Sequence, residues 1–241
     1  EVLCSRNNVS RSDTFSADLA LIFDHGHGLH YALQNRVLPA VDAIRGQWVC
    51  LECGSLYGAA PGLPPIQQAV ARPEACDECD SAEFYFKEYD LVDHTYRVTG
   101  HTDGFLAIGG LEGLGILEGK SISPKGAWEV RDCPKLDHYI QTQGYMWLTG
   151  ATWGKIVYWD KGAHGQAALI EHHIERDEEA IDGLKSLLQS IWQGIDGGPL
   201  ASRICGTPGC DRAKDCAVSK LCFSLPSDPE VTETEDEDHD E

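Results

Sequence analysis

Gly100-His101-Thr102-Asp103-Gly104 and, fourteen residues on from its start, Leu114-Gly115-Ile116-Leu117-Glu118-Gly119-Lys120 form the stretch on which the fold turns. Short alternating apolar runs separated by glycine turns predict strands over 95–99, 103–108 and 114–118. Two carboxylates, Asp103 and Glu118, then stand on adjacent strands, where oxygen ligands can hold a hard divalent ion. Glu118 and Lys120 are two apart, so on a strand their side chains share a face. A lysine beside a metal-bound phosphate stabilises developing negative charge or orients the attacking water. An E-x-K on a strand that stands alone is usually a solvated ion pair, so the flanking sequence has to decide.

Working outward, residues 16–38 read as a helix with Leu29, Leu33 and Val37 on one face, ended or kinked by Pro39. A segment rich in Gly, Pro and Cys over 47–81 reads as an insertion. Downstream, 136–149 reads as a helix, and 155–160 with 166–174 as two strands, a possible hairpin across the glycines between them. Asp177 is a candidate N-cap for an amphipathic helix carrying Ile181, Leu184, Leu187, Leu188, Ile191 and Trp192. Helix, strands, helix, strands, helix predicts an α/β fold around one mixed sheet. There is no internal repeat, and no apolar run approaches the ~18 residues that would cross a bilayer.

The 241 residues carry a net charge of −20. Nine acidic residues and no Lys or Arg follow from Asp228 onward, which predicts a disordered acidic tail over 224–241 and leaves −11 for the rest. That balance excludes a generic nucleic-acid coat. Phosphate binding would require a local basic groove, metal-assisted contact, or a partner that supplies the grip.

Ten cysteines fall mainly into two sets. A chain this large needs no disulfide staples, so reduced metal-binding thiolates in an intracellular protein are the better reading. Cys50-x-x-Cys53 and Cys76-x-x-Cys79 have the spacing of a zinc ribbon, four thiolates in a closed tetrahedral site with a structural role. The second set is Cys4 near one end and Cys205, Cys210, Cys216 and Cys222 near the other, with Cys133 outside both.

Upstream of the carboxylates stands Gly26-His27-Gly28-Leu29-His30; downstream stand His138, Gln141 and Tyr145, spaced to share a helix face. The ordered series G-x-x-x-H, G-x-x-D-G, E-x-K, Q-x-x-x-Y resembles the RecB-like exonuclease branch of the PD-(D/E)XK superfamily, over residues 4–223. This resemblance implies a restriction-endonuclease-like mixed sheet flanked by helices, spanning 1–223 and interrupted by the ribbon at 47–81. It further implies a magnesium or manganese site built from His30, Asp103, Glu118 and the Gly119 carbonyl, with Lys120 as the catalytic lysine. Gln141 and Tyr145 would contact DNA or support the site. His27 competes with His30 for the same role, although the register favours His30.

The same resemblance implies a terminal [4Fe–4S] clip over 205–223 that closes back on Cys4, with Cys4, Cys205, Cys216 and Cys222 as ligands and Cys210 as the substitute for Cys205. The expected activity is metal-dependent hydrolysis of DNA at single-stranded or free ends, in recombination, replication or repair. A helicase, recombination or single-strand-binding protein is a possible partner. Two rivals remain open: a structure-specific or CRISPR-type endonuclease, and a non-catalytic DNA-binding or assembly module. Trp128, Trp147 and Trp153 are candidates for stacking on unpaired bases, a role that competes with core filling.

Overall fold

The computed structural model describes residues 17–199, 205–214, 216 and 219–224. Cys4 and the acidic tail lie outside the described residues. The chain divides into two compact units, one of Ser16–Ser186 and one that includes Leu187–Glu241. Among the described residues, no helix is long and apolar enough to cross a membrane.

The larger unit begins with α1 (Ala17–Ala32), which runs on through a wider helical turn at Leu33–Val37 and a tight one at Pro39–Val41. The proline lacks the N–H that would continue the helix, as its position in the sequence implies. Strands β1 (Ile44–Arg45), β2 (Gln47–Cys50), β3 (Leu56–Tyr57) and the single-turn α2 (Pro65–Gln68) follow. Next come β4 (Phe84–Lys87), β5 (Tyr89–Asp93), β6 (Val98–Thr102), β7 (Gly104–Leu106) and β8 (Gly115–Ile122). The chain continues through α3 (Pro124–Glu129), α4 (Leu136–Thr149), β9 (Trp153–Asp160), β10 (Leu169–Glu175) and α5 (Glu178–Ile195). Short helices α6 (Asp211–Lys214) and α7 (Ser219–Ser224) lie in the other unit.

The central sheet has the order β1-β7-β8-β9-β10. Only the β8–β9 pair is parallel, and α3 and α4 supply the crossover that parallel neighbours require. β9 and β10 form the antiparallel pair suggested by their glycine-containing connection, although a short helical turn at Gly165–Ala168 delays the second strand to Leu169. The mixed α/β expectation therefore holds. The boundaries of the middle strands shift: the strand expected over 95–99 is Val98–Thr102, since residues up to Arg97, at φ +51°, form the turn of the β5–β6 hairpin.

One apolar cluster packs Phe105, Ile116, Ile156 and Tyr158 of the sheet against Met146 of α4. A second joins Leu106, Leu117, Val157 and Trp153 to Leu33, Ile44, Trp48, Phe84 and Phe86. Through that second cluster the cysteine-bearing strands are part of the core rather than an appendage. Their three-stranded sheet, β3-β2-β4, extends to Lys87, beyond the expected end of the insertion at 81.

Candidate metal centre

The site forms where one strand pairing hands over to another. β6 pairs with β5, placing Thr102 opposite Tyr89, whereas β7 pairs with β8, placing Gly104 opposite Leu117. Asp103 lies at the change of partner. Continuing each register by one residue puts it opposite Glu88 on one side and opposite Glu118 on the other. Gly104 has φ +142°, and a β-carbon there would lie 3.0 Å from Phe86, so the switch needs glycine after the aspartate.

Asp103 and Glu118 are buried, at 8% and 1% exposure. Asp103 Oδ1 lies 3.0 Å from His30 Nδ1, and its Oδ2 accepts from the Gly119 N–H at 2.7 Å. Lys120 Nζ lies 2.5 Å from Glu118 Oε1, on the shared face expected from their spacing. Burial pushes the Glu118 carboxyl up to about 7, Asp103 adds to the rise, and Lys120 opposes it. The hydrogen bond to Asp103 raises the His30 imidazole above its ordinary value against the effect of burial.

Glu88 is the site residue that the motif reading missed. His30, Glu88 and Asp103 each present a ligand atom within 4.8 Å of the others. Gln34, one turn after His30, joins them: its Nε2 donates to Glu88 Oε1 at 2.9 Å and to the Asp103 carbonyl at 3.0 Å. The alternation of Phe84 and Phe86 with Tyr85 and Lys87, and of Tyr89 and Leu91 with Asp90 and Val92, carries the signal for the two strands that flank Glu88.

On α4, Gln141 Nε2 donates to the Tyr145 hydroxyl at 2.8 Å. The Tyr145 ring packs against Gly100, where a β-carbon would come within 2.8 Å of it. Burial pushes the Tyr145 phenol up to about 12, and the carboxylates of Glu118, Asp103 and Glu88 act in the same direction. Tyr145 therefore keeps its proton at neutral pH. His138 does not join this pair: its Nδ1 lies 2.8 Å from the Tyr158 hydroxyl, which also accepts from the Lys135 N–H.

The four cysteines of the first set converge. Cys50 and Cys79 sulfurs are 3.6 Å apart, Cys53 and Cys76 sulfurs 3.5 Å, and all four lie within 4.8 Å of one another. The two C-x-x-C loops repeat one geometry. In each, the first cysteine N–H donates to a serine carbonyl five residues on, Ser55 or Ser81, and its carbonyl accepts from the fourth residue on, Gly54 or Asp80. Both of those fourth residues have positive φ, +77° and +59°. A hydrogen bond from Tyr57 lowers the Cys76 thiol to about 6. In the other unit, Cys205, Cys210, Cys216 and Cys222 are half-buried.

No family model matches the chain, and no curated protein matches its sequence. Among solved structures it is similar to an alkaline exonuclease (LHK-Exo) from Laribacter hongkongensis, with 22% identity and a TM-score of 0.37 over 45% of this chain and 58% of that one. The same exonuclease in complex with dAMP gives 21% identity and a TM-score of 0.38, over 45% and 57% of the two chains. The protein SSO0001 gives 15% identity and a TM-score of 0.40 over 85% of this chain and 74% of that one. The matches to the exonuclease thus span somewhat more than half of its length. Likeness this loose carries no functional argument, which rests on the site itself.

Proposed function

We propose that the chain is a divalent-metal-dependent deoxyribonuclease of the RecB-like PD-(D/E)XK type, acting as an exonuclease at DNA ends. The observation that carries this reading is the meeting of buried Asp103 and Glu118 with the Lys120 ammonium at the β7–β8 junction, with His30 on Asp103. Burying carboxylates side by side is costly unless a cation offsets their charge. Their oxygens, an imidazole and the neighbouring Glu88 make a donor set that suits magnesium or manganese. His30, Glu88, Asp103, Glu118 and the Gly119 carbonyl would hold the ion.

When bound, such an ion supplies Lewis-acid polarisation of a phosphate oxygen and a more acidic water. The chain's own residues do the rest. Lys120, held by Glu118, presents its ammonium where charge develops on the phosphoryl group or where the attacking water must be oriented. Tyr145, protonated across the neutral range and tied to Gln141, is a standing donor for a DNA phosphate.

Zinc is the metal proposed for Cys50, Cys53, Cys76 and Cys79. Sulfurs about 3.8 Å apart are expected around a tetrahedral ion with ~2.3 Å bonds, close to the 3.5 and 3.6 Å pairs here. The closed set gives it a structural role. The [4Fe–4S] clip of Cys4, Cys205, Cys216 and Cys222, with Cys210 as the alternative, is proposed on the sequence resemblance alone.

The test is digestion of end-labelled linear single strands, duplexes and circular single strands with manganese, beside Lys120→Ala. Linear strands should be degraded by the wild type and spared by the variant. Cleavage of circles would make the enzyme an endonuclease. No cleavage by protein carrying its zinc, or normal cleavage by Lys120→Ala, would overturn the assignment.

A further inference from the structure

The segment that joins β8 to α4 is bounded by site residues at both ends, Lys120 before it and Gln141 and Tyr145 after it. Several contacts fix its course. Ser123 caps α3 by accepting from the Gly126 N–H at 3.2 Å. Val130 is fully buried, and its carbonyl accepts from His172 Nε2 at 2.7 Å. The Lys135 N–H donates to the Tyr158 hydroxyl at 3.0 Å.

On this fixed frame Trp128 is 71% exposed, with the Arg131 guanidinium 4.2 Å from its ring centroid. The other two tryptophans with candidate stacking roles are engaged by the protein: Trp153 is buried, and Trp147 packs edge-on against Tyr96 at 5.0 Å. Core filling therefore accounts for Trp153 and not for Trp128.

The segment that carries Trp128 is slightly basic, unlike the chain as a whole. Lys125, Arg131 and Lys135 share it with Glu129 and Asp132, and Lys135 Nζ lies 3.7 Å from Glu129 Oε2. Lys161 belongs to the adjoining loop, where its N–H donates to the Ile122 carbonyl at 3.0 Å, and it too is exposed. In a chain with 39 acidic and 19 basic residues, Lys125 and Arg131 thus flank an exposed indole in sequence, whereas Asp160 precedes Lys161 and Glu129 pairs with Lys135. Single-strand binding combines these two features, since cations track the phosphates while an aromatic face receives an unpaired base. Bases within a duplex already stack on one another and leave no face free for it.

We infer that Trp128 and Arg131 form a stacking platform for an unpaired nucleobase, so that the substrate engaged at the metal centre is single-stranded DNA or a frayed end. This rests on the nuclease reading. The test uses the full chain with calcium in place of manganese, and measures binding of a fluorescein-labelled oligothymidylate by anisotropy at fixed salt. An abasic-spacer strand of equal length and a blunt duplex serve as comparisons.

Trp128→Ala should bind the base-bearing strand about 5- to 150-fold more weakly, the range for loss of one base–aromatic stack. The abasic strand and the duplex should be nearly unaffected, and Trp128→Phe should retain most of the affinity. An unchanged oligothymidylate affinity in Trp128→Ala would overturn the platform while leaving the nuclease reading standing. Equal weakening on the abasic strand or the duplex would overturn it in favour of a phosphate or duplex contact. Failure of the wild type to bind or cleave any DNA would overturn both readings.

Discussion

Glu118→Gln is expected to stabilise the protein in magnesium- and manganese-free buffer at pH 8, to leave its stability nearly unchanged at pH 5, and to abolish cleavage. Glu118 is 1% exposed, and its carboxyl titrates near 7 rather than at the ordinary 4.5, with burial the largest cause and Asp103 the next. At low pH the group is protonated in both the folded and unfolded chains, and no penalty arises. Between about 4.5 and 7 the unfolded chain ionises while the folded one holds its proton, so folding becomes progressively less favourable. Above that window the full difference applies, about 3 kcal/mol. Glutamine removes this penalty at every pH but offers Lys120 only a neutral acceptor and buries an amide NH2 that must find new partners, a cost of about 1 kcal/mol. The balance is a gain of about 2 kcal/mol at pH 8, or about 4–8 °C in Tm for a protein of this size. At pH 5 the cost of the amide and what remains of the penalty nearly cancel. Thermal unfolding followed by circular dichroism at both pH values reads this pH dependence directly, because acid effects on the cysteine site are common to both proteins and cancel. A shift equal at pH 5 and 8, or a variant less stable than wild type at pH 8, would refute the electrostatic account of this site. Added manganese should raise the Tm of the wild type and leave that of Glu118→Gln nearly unmoved.

Two further substitutions probe other proposed metal ligands. Glu88→Gln keeps an acceptor for Gln34 but removes a charge from the His30–Asp103 group, and should weaken manganese binding at least ~10-fold by titration calorimetry while the fold persists. Cys76→Ser should leave the purified protein without its equivalent of zinc in a colorimetric assay and lower its Tm, because the sulfur lies in the same core cluster as Trp48 and Phe84.

Local chemistry made some elements legible from end to end. The helix expected over 136–149 is Leu136–Thr149, bounded by Pro134 and by Gly150, whose φ of +80° closes it. Asp177 caps the last long helix as its residue type implies, accepting from the Ala180 N–H at 3.0 Å. The pairing of Glu118 with Lys120 follows from the two-residue period of a strand. Strands β4 and β5 fall between the expected end of the cysteine-rich insertion at 81 and the next expected strand at 95. Glu88 sits between those two strands. Its place opposite Asp103 depends on the Tyr89–Thr102 register, and register is set by which face of a hairpin is buried rather than by spacing along the chain. His138 shares the helix with Gln141 and Tyr145, but at the larger i-to-i+7 separation its ring meets Tyr158 instead.

The candidate metal centre is crowded with acid yet leaves no loose ends. Among the described residues every buried side-chain nitrogen and oxygen has a hydrogen-bond partner. Both Asp103 oxygens are engaged, by His30 and by the Gly119 N–H, and Glu118 is held by Lys120. A cation entering this group would not fill an orphaned cage. It would exchange with contacts that already exist, freeing His30 from Asp103 and leaving Lys120 less tightly bound to Glu118. Such an exchange would let one arrangement of residues be stable without the ion and still accept it. The ion pair that would make E-x-K an ordinary strand feature is present, but on a carboxylate too buried to remain fully ionised at neutral pH. Where local stability is given up in this way, next to two more acids and an imidazole, the arrangement is better explained by a cation than by the fold's own needs.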